Sequence, residues 1–297
     1  MKIGIPKGLL YYKYYPFVNN FFSELGAEII TSEDTNREIL DLGVKFSVDD
    51  ACLPVKIFHG HVASIKDKCD FIFIPRFMEV DKGQSICPKF CGLPEMIKNS
   101  IPELPQIITE PIYGLNDKKM WEFSKKIGKK LNKGRKSIEK AFVDSLIIQK
   151  KFNSGKCDKN YKLKIALVGH PYNIYDSFIN MDIIKKLNEM NIGVVTEEYV
   201  EKEFIDEEVN KLFKRPFWTF ARNSYGFAAH VGEHKEVDGI IYISSFACGI
   251  DSVVIELIKD KLNNFPILVL KVDEQTGEAG VETRIEAFTD MLERRCS

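Results

Sequence analysis

Three cysteines stand where a thiolate could do chemistry. Cys52 lies in Asp50-Ala51-Cys52-Leu53-Pro54 and Cys87 in Ile86-Cys87-Pro88-Lys89-Phe90-Cys91-Gly92. Cys248 lies in Ser245-Phe246-Ala247-Cys248-Gly249-Ile250-Asp251-Ser252. Before Cys248, Gly239-Ile240-Ile241-Tyr242-Ile243 is β-branched, aromatic and apolar, which reads as a buried strand. After it, residues 253–258 open a helix. Cys248 is thus expected in a strand-to-helix turn, where open α/β sheets place their ligands. Free N–H groups and a partial positive charge at a helix start favour thiolate, the form that binds metal. Cys52 repeats the pattern, because Val55, Phe58, Val62 and Ile65 make a helical stripe behind it. The expectation is that Cys52, Cys87 and Cys248 converge around a metal centre at a cleft.

Zinc and an iron–sulfur cluster both take cysteine thiolates. Structural zinc modules bring paired cysteines or a Cys/His mix at short range. Here Cys87 and Cys91 are four apart with Pro88 between, which matches poorly. Three single cysteines on separate strand-end loops suit a cubane with one iron left open. His59 and His61 follow Cys52 closely, but on a helix face such histidines are more often structural. Ser244, Ser245 and Ser252 flank Cys248 and could offer an oxygen to the open iron, though capping the next helix is the plainer role. The bland alternative is three buried cysteines in unrelated turns, since free cysteine is commonly buried. Cys69 at a strand start reads as core, Cys157 in a polar stretch as idle, and Cys296 as part of a frayed end.

The elements that must position these residues alternate between strand and helix. Lys2-Ile3-Gly4-Ile5 is a strand, a helix follows to Gly26 with Pro16 in its first turn, and Ala27-Glu28-Ile29-Ile30 is a second strand. Strands are also expected at 69–75 and 107–109. Residues 117–151 carry apolar positions at helical spacing among many lysines. Within them, Gly128 to Ser137 only faintly imitates a phosphate loop: five residues separate the glycines and no strand leads in. Residues 153–160 are polar and suit a linker. A second β-α-β start follows at Lys164-Ile165-Ala166-Leu167-Val168-Gly169-His170-Pro171. The aromatic stretch 213–232 is expected either to cover a cleft or to fill a core. The fold class is therefore α/β: two Rossmann-like, doubly wound lobes with a helical connection, divided as 1–115, 116–160 and 161–297.

Composition narrows the function. The 297 residues are 44% hydrophobic and 29% charged, enough for a sizeable core and two domains. A net charge of −1 gives no electrostatic case for a nucleic-acid or membrane partner. No apolar run reaches the roughly 18 residues a membrane helix needs. The first residues read as strand rather than as a secretion signal. Seven cysteines without tight spacing argue against a disulfide framework, so a reducing cytoplasm is expected.

Several segments carry a resemblance. They are Ile3-Gly4-Ile5-Pro6-Lys7-Gly8-Leu9-Leu10-Tyr11-Tyr12, Asp50-Ala51-Cys52-Leu53-Pro54-Val55-Lys56, Phe58-His59-Gly60-His61, Ile74-Pro75-Arg76 and Ile86-Cys87-Pro88-Lys89-Phe90. In the last third they are joined by Phe246-Ala247-Cys248-Gly249-Ile250-Asp251-Ser252 and by residues 273–288. Together they resemble the group related to the activase of CoA-substrate-specific enzymes. That group is similar to the iron–sulfur subunits of 2-hydroxyacyl-CoA dehydratases and benzoyl-CoA reductases, and to double-cubane cluster proteins. The resemblance implies Rossmann-like lobes and a [4Fe–4S] cluster on Cys52, Cys87 and Cys248, alone or as part of a double cubane. Cys91 looks like an addition to the pattern, either a fourth ligand or a bystander. Further implied are anaerobic low-potential electron transfer or dehydratase- or reductase-like chemistry, an ATP-dependent activator protein, an acyl-CoA or other small substrate, and a homo- or hetero-oligomer. The other reading is a non-enzymatic iron–sulfur or zinc scaffold or sensor.

Overall fold

A computed structural model describes residues 1–114 and 117–296, with side chains up to Arg295 in the last helix. The chain forms two compact units, Met1–Asn153 and Ser154–Ser297. The boundary expected at 115/116 and the side chain of Cys296 lie outside the described residues.

The first unit runs β1 (Lys2–Ile5), α1 (Tyr11–Glu24), β2 (Glu28–Thr31), α2 (Arg37–Lys45), α3 (Leu53–Ile65), β3 (Phe71–Phe73) and β4 (Arg76–Glu79). It continues with α4 (Pro88–Cys91), α5 (Leu93–Ser100), β5 (Gln106–Ile108), β6 (Pro111–Tyr113), α6 (Asp117–Lys130) and α7 (Arg135–Lys151). Four strands form a parallel sheet in the order β2-β1-β3-β5. Ile3, Ile5, Ile72, Phe73 and Ile108 from this sheet are buried, as a sheet covered by helices requires. β4 and β6 make a separate two-stranded parallel ladder that periodicity does not reveal. Gly128 lies within α6 against Ile138, so the imitation phosphate loop is a helix–helix contact.

α3 is buried nearly all round, from Leu53 through Val62. It crosses α2 at two glycines. A Cβ at Gly60 would lie 1.8 Å from the Ile39 carbonyl oxygen, and one at Gly43 would lie 2.1 Å from that of Lys56. Only hydrogen at both positions lets the backbones meet so closely. Asn36 fixes the start of α2 by accepting from the Ile39 N–H at 3.0 Å.

Pro16 lies well inside α1, not in its first turn. The sequence suggests otherwise because an interior proline removes one helical hydrogen bond and strains the next. Gln149 of α7 repairs the gap: Phe17 N donates to its Oε1 at 3.2 Å, and its Nε2 donates to the Lys13 carbonyl at 2.8 Å.

The second unit runs β7 (Leu163–Gly169), α8 (Pro171–Tyr175), α9 (Ile183–Glu189), β8 (Ile192–Val195), α10 (Lys202–Asn210) and α11 (Thr219–Glu233). β9 (Gly239–Ser245), α12 (Gly249–Lys261), β10 (Ile267–Val272) and α13 (Glu278–Cys296) complete it. Its sheet is parallel, in the order β10-β9-β7-β8. The stretch expected to act as a free linker is partly docked. Cys157 bridges Val195, and Asp158 accepts from Val194 N at 3.1 Å. The aromatic stretch supplies α11, whose Tyr225, Phe227, Ala228 and Val231 enter the core of this unit.

Each sheet places its strands second-first-third-fourth by order in the chain. Such sheets have a switch point between first and third strands, with a crevice beyond the carboxyl ends. In the second unit that point lies between β7 and β9, so the residues after Gly169 and Ser245 face one another there.

Candidate metal centre

Cys52, Cys87 and Cys248 share one local geometry. Each is the residue capping the start of a helix: Cys52 before α3, Cys87 before α4 and Cys248 before α12. Cys52 and Cys248 make no side-chain capping bond, whereas the Cys87 sulfur accepts from the Lys89 backbone N–H in the first turn of α4. The cysteine carbonyls begin the helices, Cys52 O accepting from Val55 N at 2.9 Å and Cys87 O from Phe90 N at 2.9 Å. Pro54 and Pro88 follow within the first turn, where a missing N–H is tolerated. The local sequence thus presents each sulfur at a helix start.

Cys52 and Cys87 belong to the first unit, and Cys248 to the second. The first two are close enough to interact electrostatically. Burial pushes the Cys87 thiol up, opposed by a backbone hydrogen bond from Lys89, and a Cys52 thiolate adds to the upward push. α4 is a single short turn, and desolvation outweighs what it offers.

Cys91 closes α4, and its thiol faces Met78 Sδ at 3.5 Å while its carbonyl accepts from Arg76 at 2.9 Å. The Cys69 thiol donates to the Ile65 carbonyl at 3.3 Å, and burial raises it. Cys157 is exposed. His59 and His61 are buried within α3. His59 Nδ1 meets the Val55 carbonyl at 2.7 Å, while His61 Nε2 meets Thr35 Oγ1 at 3.0 Å. Desolvation lowers His61 to about 3 and lowers His59 as well, so both are neutral structural imidazoles at neutral pH.

Around Cys248 the structure assembles more than the motif suggests. Donor atoms of His170, Cys248 and Asp251 lie within 4.8 Å of one another. His170 caps α8 directly after β7, and Cys248 and Asp251 follow β9, so the switch point builds the group. Gly169 makes the turn possible. Its φ is +149°, and a Cβ there would lie 2.4 Å from the Ile243 carbonyl oxygen. Asn173 ties the two loops, donating to the Ile243 carbonyl at 3.3 Å and accepting from Ser245 Oγ at 3.1 Å.

Asp251 is fully buried. Its Oδ1 accepts from the Tyr242 hydroxyl at 2.8 Å and lies 3.3 Å from His170 Nε2. Its Oδ2 is buried with no hydrogen-bond partner. Burial first, then the Asp251 charge, holds the Tyr242 hydroxyl well above its ordinary range, so it remains a donor. His170 Nδ1 meets the Tyr172 hydroxyl at 2.6 Å, and Phe220 of α11 packs 5.6 Å from the imidazole ring centre. The sequence carried these residues in its motifs but gave no role to His170 or Asp251. The available signal was Gly-His-Pro and Cys-Gly-Ile-Asp, each directly after a buried strand.

A second group, Glu208, His230 and His234, also brings donor atoms together. Its carboxylate is already compensated by Lys211 at 2.5 Å and Lys261 at 3.8 Å.

Two family models match overlapping stretches, each more than half of the chain. The CoA enzyme activase uncharacterised domain (DUF2229) matches residues 2–200, and the 2-hydroxyglutaryl-CoA dehydratase D-component (HGD-D) matches residues 124–292. The chain belongs to both families. No curated protein matches it. The D-component match takes in β7 through β10, and with them His170, Cys248 and Asp251. The activase-domain match takes in Cys52, Cys87 and Cys91. The resemblance drawn from the sequence motifs is thereby established, and the chain is a component of the 2-hydroxyacyl-CoA dehydratase type. Among the described residues, no helix is long and apolar enough to cross a membrane.

Proposed function

We propose that this component carries one [4Fe–4S] cluster on Cys52, Cys87 and Cys248 and passes low-potential electrons in dehydratase- or reductase-like chemistry. The observation that carries the reading is the shared placement of the three cysteines. Each begins a helix, and the Cys52 and Cys248 sulfurs make no cap bond. The donor set fits the group, since clusters are held by thiolates and an iron without a fourth cysteine stays open to another ligand. When bound, the cluster supplies one-electron chemistry whose potential depends on charge, hydrogen bonds and exposure. The residues themselves hold the sulfurs, and burial at Cys87 limits water around its sulfur.

The reading requires Cys248 to join Cys52 and Cys87. It divides the chain as first lobe, helical connection and second lobe. Cys91 is assigned outside the ligand set, because its sulfur is engaged with Met78. The family memberships support an activator partner and assembly with further subunits; the reading adds ATP-dependent electron donation, an acyl-CoA substrate and a cytoplasmic setting. Phe246 and Val253, exposed on either side of Cys248, offer apolar surface to such a partner.

Anaerobic iron and sulfide analysis with electron paramagnetic resonance tests the proposal. About four irons per chain, or per cluster-sharing pair, are expected, with a signal after reduction. C52S, C87S and C248S should each lose the signal, and C91S should keep it. Iron-free protein after reconstitution, or a cluster that survives all three single changes, overturns the reading.

A further inference from the structure

We propose that His170, Cys248 and Asp251 form a site for one divalent transition-metal ion, zinc or ferrous iron, within the second unit. This goes beyond the cluster reading, because it needs no residue of the first unit. The two uses of Cys248 are exclusive, and the single ion is what the second unit takes when no cluster is in place.

Four observations carry the proposal. One sulfur, one nitrogen and one oxygen donor lie within 4.8 Å of one another. Tetrahedral zinc holds such donors about 3.3 to 3.6 Å apart. His170 Nε2 and Asp251 Oδ1 already stand at 3.3 Å, so only the pairs with the Cys248 sulfur must close, by about 1 Å at most. Asp251 is fully buried, and its Oδ2 has no hydrogen-bond partner. A buried carboxylate oxygen without a donor is costly unless something else meets it. The imidazole is held from behind by Tyr172 at Nδ1, leaving Nε2 on the Asp251 side. Metal-bound histidines are held in this way, and the Tyr172 hydroxyl can accept as well as donate. Finally, the group lies at the switch point of a parallel sheet, where such folds keep their ligands. A thiolate, a carboxylate and a neutral imidazole carry two negative charges, which one divalent ion neutralises. Three protein ligands leave a fourth position for water or substrate, as in catalytic rather than structural zinc sites.

Cobalt(II) titration of the anaerobic, metal-free full chain is the test. One cobalt per chain should bind, with a near-ultraviolet sulfur-to-cobalt band and the visible bands of tetrahedral geometry. C248S should abolish the sulfur band, and H170Q should weaken binding at least tenfold. The C52S/C87S double variant should bind cobalt as the parent does. Circular dichroism and thermal melts establish that C248S and H170Q remain folded. If either fails to fold, D251N and the C52S/C87S variant decide the matter: weakened binding in the first with parental binding in the second supports the site. No cobalt bound, no sulfur band, a band lost with C52S/C87S, or binding indifferent to H170Q and D251N would overturn it. The cluster reading is scored separately, by iron and sulfide on the parent chain. Cobalt binding without cluster formation sinks only the cluster, and cluster formation without the cobalt site sinks only this proposal.

Discussion

Gln149 completes the helix that Pro16 interrupts. Its side-chain amide accepts from Phe17 N and donates to the Lys13 carbonyl, standing in for a bond the proline displaces. A second tie runs from Asn20 Nδ2 to Ser145 Oγ at 3.0 Å, so α1 and α7 are joined by polar contacts as well as by Phe17 against Phe142. Truncating Gln149 leaves two main-chain groups short of partners. Q149A should therefore cost about 1 to 3 kcal/mol in urea unfolding. In a P16A background the helix makes its own bonds, and the same truncation should cost clearly less. Equal costs in both backgrounds would show that the amide has no bridging role.

The glycine crossing of α2 and α3 bears on the site, because α3 begins at Cys52. G60A places a methyl group against the Ile39 carbonyl, and the helices must separate. A loss of about 3 kcal/mol or more is expected from a backbone clash that no side chain can relieve. G43A acts on the same contact from the other helix, through the Lys56 carbonyl. Because the two share one interface, the double variant should lose less than the sum of the single losses. Additive losses, measured by urea midpoint, would mean that the two glycines serve separate contacts.

The sequence reveals the inner strands of both sheets because they are largely buried and read as apolar runs, as in Ile165-Ala166-Leu167-Val168. It also places Cys52 and Cys248 at helix starts, since each follows a turn and precedes an apolar stripe. Three features are invisible to the same reasoning. β4 and β6 are only four and three residues long, so no periodicity marks them. Pro16 inside a helix depends on a side chain supplied from α7. The His170–Asp251 contact joins the ends of two strands, and only the sheet order makes those strands neighbours. Local pattern carries element type, whereas the switch-point group is a product of topology.

His61 makes the first unit sensitive to acid. Desolvation lowers its folded pKa to about 3 from an unfolded value near 6.5. The folded form therefore refuses a proton that the unfolded chain accepts. Stability from this group is complete above about pH 6.5 and falls as the pH drops toward 3. Near pH 4 the loss should reach about 3 kcal/mol relative to neutral pH. His61→Gln removes the titration and keeps a polar group facing Thr35. Urea unfolding at pH 7 and pH 4 should show a smaller loss in the variant, whatever its offset at pH 7. Parallel pH profiles for the two proteins would rule out His61 as the source.

The cysteines outside the proposed ligand set provide a control that separates metal binding from folding. Cys69 gives its thiol to the Ile65 carbonyl and lies so close to Gly4 that a Cβ there would come within 2.7 Å of its sulfur. That is a packing role at the edge of β1 and β3. Cys157 is exposed beside Val195, where its backbone rather than its sulfur makes the bridge. The C69S/C157S double variant should therefore hold the same iron and sulfide per chain as the parent. Its cost should appear as a drop in unfolding midpoint, because a hydroxyl fills less of the space under Gly4 than a sulfur does. Extending the change to Cys296 should leave the iron unchanged again. If the double variant loses iron while its circular dichroism and thermal melt show a folded protein, one of these sulfurs is a ligand. Cys69 would then be the first to examine, since it lies in the same unit as Cys52 and Cys87 and is half-buried as they are.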